Sequence, residues 1–183
     1  HWTDNGMWFE GGDNIFIRDC EVHQVAYGIG MTDGTHDFVL ERVLMHHFDL
    51  YGFDVTPSSV GSSYNGTLID CVSHTGRDPS QNVDGFALGH GDQHGFVLRN
   101  CKTWGVYDGF DISSRETTLE GCIAYDCLNG GFKLWQDEVL LVNCVGYNNG
   151  TDNVELDWDG NPGSVTLWNC TFHDAETYNI WVE

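Results

Sequence analysis

Asp108-Gly109-Phe110-Asp111-Ile112 and, 22 residues later, Gly130-Gly131-Phe132-Lys133-Leu134 share one skeleton: a glycine, a large apolar residue, a variable residue and an aliphatic. Alternation of this kind predicts a short strand with Phe110 and Ile112 facing in and Asp111 facing out. Phe132 and Leu134 repeat the pattern and leave Lys133 facing out. If the two strands stack as neighbours, an acid and a lysine project side by side from one sheet face, about 4.8 Å apart.

The same motif recurs along the chain as Asn5–Phe9, Tyr27–Met31, Tyr51–Val55, Asp84–Leu88, Asp152–Leu156 and Tyr178–Val182. Its second positions fall at 6, 28, 52, 85, 109, 131, 153 and 179, giving steps of 22, 24, 33, 24, 22, 22 and 26 residues. A second motif interleaves with it: an aliphatic, any residue, usually Asp or Asn, then Cys. It ends at Cys20, Cys71, Cys101, Cys122, Cys144 and Cys170, with Val43 in a cysteine-free turn. Three residues beyond each comes His23, His46, His74, Trp104, Tyr125, Tyr147 or His173.

Two strand motifs per step, held in phase, mark a solenoid. No segment has helical periodicity, which excludes helical and leucine-rich repeats. The expectation is therefore an all-β chain forming a right-handed single-stranded parallel β-helix of about eight coils, one domain over residues 1–183. The long step must carry its excess outside the coil, which makes 57–83 a loop-bearing coil flanking any site. The opening His1-Trp2-Thr3-Asp4 has no initiator Met and no leader pattern, and reads as a processed or excised piece.

Composition narrows the function. Asp and Glu number 28 against seven Lys plus Arg, a net charge of -21. That excludes nucleic-acid recognition through a basic surface and weighs against an anionic membrane. It suits a secreted chain and oxygen-bound cations, though solubility alone accounts for most of these acids. Six cysteines share one column, where geometry is poor for disulfides, so a ladder of buried free thiols is expected, with Cys127 the odd one and exposed. The His23, His46, His74 column is expected to stack rather than bind metal, and the His90–His94 pair has no helix to align it. Asn65, Asn149 and Asn169 fit the glycosylation pattern, which is common by chance.

Asp84 and Asp108 occupy one motif position on consecutive coils, and Asp111 lies three residues further on. Three carboxylates in register repel unless protonated or neutralised, and Ca²⁺ accepts such oxygen ligands. Lys133, one of two lysines, reads either as a surface ion pair or as a proton-abstracting base, the latter only when neutral. The run Asp-Gly-Phe-Asp, then Gly-Phe-Lys-Leu, then Val142-Asn143-Cys144-Val145-Gly146-Tyr147-Asn148-Asn149-Gly150 resembles the family 9 pectate lyases, best over residues 82–157. Those are right-handed parallel β-helix enzymes that use Ca²⁺ and a lysine base. The resemblance implies Asp84, Asp108 and Asp111 as calcium ligands and Lys133 as the base. Two departures stand out: Tyr107 replaces a second acid, and Trp135-Gln136 replace glycines.

The chemistry expected is β-elimination on a pectate-like acidic polysaccharide, with Arg77, Arg115 and Trp135 as substrate contacts. The rival is a non-catalytic β-helix, a glycan binder or adhesin with Trp8, Trp104, Trp135 and Trp181 stacking on sugars. Its state would be monomeric or, through uncapped ends, a head-to-tail assembly. Glycoside hydrolysis by paired carboxylates fits less well beside a lysine.

Overall fold

In the computed structural model, which describes residues 2–78, 80–89, 92–156 and 164–182, every regular element is a β-strand and every pairing is parallel. A seven-stranded sheet runs from Phe16–Arg18 through His36–Glu41, Tyr64–Ile69, Val97–Arg99, Thr118–Glu120 and Val139–Val142 to Val165–Trp168. A 13-stranded sheet forms the other two faces. They merge because Glu21–Thr32 and Leu44–Val55 are long enough to turn the corner in one strand. No helix among the described residues is long and apolar enough to cross a membrane.

This is a right-handed parallel β-helix. The strand motifs expected from sequence fall in register: Phe53, Phe86, Phe110 and Phe132 share one inward column, and Val55, Leu88, Ile112 and Leu134 share another. Phe86, Phe110 and Phe132 stack with centroids 5.0 Å apart and planes within 7°. Offset ring stacking adds about 0.5–1.5 kcal/mol per pair beyond the area buried. About seven turns are present instead of eight, because eight motif rungs bound seven circuits.

The second motif has a backbone cause. Asp19, Arg42, Asp70, Asn100, Asn143 and Asn169 all hold φ between 52° and 54°, and Gly121 holds 65°. Each turns the chain from the seven-stranded sheet into the next face. The left-handed region costs most L-residues roughly 1–2 kcal/mol, and Asn, Asp and Gly least. The cysteine that follows points inward. Cys71, Cys101, Cys122 and Cys144 are buried free thiols whose sulfurs donate to the carbonyls of Leu40, Leu68, Leu98 and Leu119 one coil earlier. Cys127 departs from expectation: it is only 3% exposed, packed with Phe48, Val83 and Val106 under a separate corner.

Candidate functional site

The strands Leu44–Val55, Asp84–Leu88, Phe110–Ile112 and Phe132–Leu134 are neighbours, so their outward residues form the column Asp54, Ala87, Asp111, Lys133, with Glu155 next. One step back along each strand entry lies a second column containing Tyr27, Tyr51 and Asp84. Asp108 continues it, since its carbonyl and that of Gly109 accept the Gly85 and Phe86 N–H groups. The two columns meet over a cavity of about 390 Å³ lined by Tyr51, Asp54, Ala87, Asp84, Asp111 and Lys133 among others.

Asp84 and Asp108 are fully buried. One Asp84 oxygen accepts the Asp108 N–H at 3.2 Å and the other accepts from Asn82 at 3.3 Å. Burial, then the Asp108 and Asp111 charges, push Asp84 up to about 8. Asp108 Oδ1 accepts from Asn129 at 2.9 Å and from the Gly130 N–H at 2.8 Å, whereas its buried Oδ2 has no hydrogen-bond partner. Burial raises Asp108 as well, against the opposing pull of Lys133. The short reach to the Gly130 amide explains a glycine there: a Cβ at 130 would lie 3.0 Å from Asp108 Oδ1.

Lys133 Nζ stands 3.1 Å from Asp111 Oδ2 and 3.7 Å from Asp108 Oδ2, with 13% of its side chain exposed. The ammonium also sits 3.9 Å from the centroid of the Trp135 ring. Burial pulls the Lys133 pKa down, but the charges of Asp111, Asp108 and Asp84 outweigh it and leave the group above its ordinary value. In this arrangement the lysine is charged at neutral pH.

Four of the residues expected from sequence therefore converge: Asp84, Asp108, Asp111 and Lys133, with Trp135 against the ammonium. Arg77 and Arg115 do not join them. Arg77 lines a separate cavity with Trp2 and Asp49, its guanidinium 3.3 Å from Asp49 and over the Trp2 ring. Arg115 pairs with Asp92 at 3.4 Å. Trp104 has both faces covered, by His74 at 4.3 Å and Tyr125 at 5.3 Å, so it cannot stack on a sugar. The His23, His46, His74 column stacks as expected, at 5.1 and 5.3 Å. His90 lies outside the described residues, and His94 stacks on Tyr64.

Sequence reasoning missed Asp54, Asn82 and Asn129. Asp54 was legible, because it holds the same motif position as Asp111 two rungs earlier. Asn129 precedes the Gly130-Gly131 pair and has no pattern of its own.

The donor set suits a hard cation: oxygen only, two carboxylates buried, and one oxygen orphaned. Among the described residues no three acid, imidazole or thiol groups are gathered closely enough to form a metal cage by themselves. Lys133 supplies the counter-charge instead.

No family model matches the sequence. The chain is 28% identical over 182 residues to a pectate disaccharide-lyase of Dickeya chrysanthemi, covering 90% of this chain and 23% of that protein. It is 27% identical over 174 residues to pectate lyase PEL9 of Emericella nidulans, covering 83% and 40%. The crystal structure of pectate lyase Pel9A superimposes with a TM-score of 0.70 at 16% identity, over 98% of this chain and 55% of that one. The chain resembles the family 9 pectate lyases in sequence and shares the parallel β-helix fold of Pel9A. This lyase-like chain spans under two thirds of the length of each of these proteins. The fold by itself is shared more widely: a periplasmic alginate epimerase, AlgG, superimposes with a TM-score of 0.72 at 12% identity, over 97% and 48% of the two chains.

Proposed function

We propose that the chain is a calcium-dependent lyase that cleaves a pectate-like polyuronate by β-elimination, with Lys133 as the base. The observation that carries the reading is the placement of Lys133 Nζ within 3.1 Å of Asp111 and 3.7 Å of Asp108, on the wall of one cavity with buried Asp84. Asp84, Asp108 and Asp111 would hold the cation. Bound there, Ca²⁺ would offset the carboxylate charge and engage the uronate carboxylate, acidifying the proton alpha to it.

The residues account for the rest. Two opposed influences set the state of Lys133: burial, which lowers its pKa, and the carboxylates, which raise it. Neutralising the carboxylates leaves burial dominant, and the amine can then lose its proton. The neutral amine takes the alpha proton. The electron pair forms a double bond between the alpha carbon and its ring neighbour C4, the bond from C4 to the glycosidic oxygen breaks, and that oxygen takes up a proton from water. Trp135 fixes the direction of the lysine through its ring face. Lys133 is the one cationic side chain lining the cavity among the described residues, so Arg77 and Arg115 would contact only a substrate extending beyond it. Polysaccharides of this class lie outside cells, and the same proposal places the chain there.

Epimerisation begins with the same alpha-proton removal and ends with reprotonation of the ring, and AlgG shares the fold. The product separates the two. De-esterified polygalacturonate with calcium should yield an unsaturated uronate absorbing in the ultraviolet, and Lys133→Ala should lower the rate by about 10³-fold. An unchanged rate in that variant would remove the base.

A further inference from the structure

Asp54 has no part in the reaction just described, yet it lines the same cavity. It is 6% exposed, and a single hydrogen bond reaches it among the described residues, from the Thr56 hydroxyl to Oδ2. Its other oxygen accepts nothing from the described residues. Along the outward column Asp54 is separated from Asp111 by Ala87 alone, and from Lys133 by one rung more. Parallel strands lie about 4.8 Å apart, so Asp54 and Lys133 are roughly 14 Å apart at Cα. The small side chain of Ala87 leaves a hollow between them. On the flank, Tyr27 and Tyr51 carry the cavity wall, with their rings 5.7 Å apart, and Trp8 meets Tyr27 edge-on at 5.3 Å.

This end of the cavity differs in character from the lysine end. Its polar groups are a carboxyl, two phenols and the Thr56 hydroxyl, and it has no cation among the lining residues. A free carboxylate entering here would meet Asp54 with no cationic side chain among the lining residues to compensate it, and like charges placed together repel. A sugar unit bearing only hydroxyls, or a uronate whose acid is esterified, would instead donate a hydroxyl to the open Asp54 oxygen and lie along the tyrosine rings.

We propose that Asp54, with Tyr27 and Tyr51, forms a specificity position that accepts an uncharged sugar unit and rejects a free uronate at the far end of the hollow from Lys133. This inference rests on the lyase reading for the chemistry at Lys133, but its binding preference stands apart from turnover. The substrate class it selects is a partly esterified or mixed polyuronate, in which an uncharged unit lies near the unit that is cleaved.

The test uses binding first. Oligogalacturonate and its methyl-esterified counterpart are titrated calorimetrically into Lys133→Ala protein, with and without Asp54→Asn. The esterified ligand should bind tighter, and Asp54→Asn should improve binding of the free uronate by about tenfold. Asp54→Ala, which also removes the charge, should shift the preference the same way should Asn at 54 disturb folding. An oligosaccharide alternating uronate with neutral sugar distinguishes a hydroxyl-only unit from an ester. Equal binding of the two ligands, a preference untouched by both substitutions, or free-uronate binding at Asp54 that appears only with calcium would overturn the assignment. Turnover by the unsubstituted protein is measured in parallel. Absence of product from every ligand would fail the lyase reading while leaving the binding result to decide on Asp54.

Discussion

Two columns of side chains climb the same 13-stranded sheet, with opposite character. On one face His23, His46, His74, Trp104, Tyr125, Tyr147 and His173 stack ring on ring, 4.3 to 5.4 Å apart with planes within 17° of parallel. On the other, Asp54, Ala87, Asp111, Lys133 and Glu155 follow one another with no two neighbours alike. The register is equally strict in both. In the first it repeats a favourable contact at every coil, and in the second it sets Lys133 between Asp111 and Glu155, beside the buried Asp84 and Asp108, whose burial carries an electrostatic cost. A solenoid thus converts a repeat into stability where residue types persist, and into a site where they change.

The largest expected contrast comes from neutralising an acid at the site. Asp84→Asn and Asp108→Asn should each lower lyase activity by about 10²-fold, measured as ultraviolet-absorbing product, yet raise stability in calcium-free buffer at pH 8. The sign follows from linkage. The folded protein holds the Asp84 proton up to about pH 8 and the Asp54 proton up to about pH 6, both above their unfolded values. Their contribution is fully present below about pH 4 and is lost as pH rises through those two values. Thermal midpoints should fall from pH 5 to pH 8. Calcium should restore them at pH 8 and do little at pH 5, and Asp84→Asn should flatten the decline. A midpoint that climbs between pH 5 and pH 8 without calcium would contradict the burial account.

Disturbing the ring column should act on stability alone. Trp104→Ala removes two stacked neighbours and should cost about 2 kcal/mol in urea unfolding, with the lyase rate unchanged. Loss of activity in a still-folded Trp104→Ala protein would show the columns to be coupled. A smaller effect is expected where the chain turns between faces. At Asn100, with φ 53°, Ala should cost about 1 kcal/mol, whereas Gly should be tolerated within a few tenths.

Much of this is readable from the chain because each solenoid strand restates its pattern. The eight strand segments, six opening on glycine and the last two on Asn153 and Asn179, all became rungs, and in-register pairing followed from near-constant spacing. The 22-residue step by itself sets Asp111 and Lys133 side by side, and the two are paired in register. Other features follow no repeat. The partners of Asp108, Asn129 and the Gly130 amide, come from a turn whose path depends on packing. Arg77 was expected at the site because it lies in the long step, but its loop folds back so that its N–H reaches the Phe48 carbonyl. That contact takes it into another cavity. Cys127 has the Asp-Cys dipeptide of the ladder, with Asp126 at φ 51°, but it comes five residues after Cys122 instead of a full step later, so the repeat did not reveal that it packs with Phe48.

The central claim is that stacked coils join Asp84, Asp108, Asp111 and Lys133 into one polyuronate site. It is tested most directly by crystals of Lys133→Ala protein soaked with calcium and an oligouronate. The account predicts an ion touching the three aspartates and a uronate carboxylate, with the alpha carbon turned toward the space the lysine side chain leaves. An oligosaccharide bound only in the Arg77–Trp2 cavity, with no ion between Asp84 and Asp111, would contradict it.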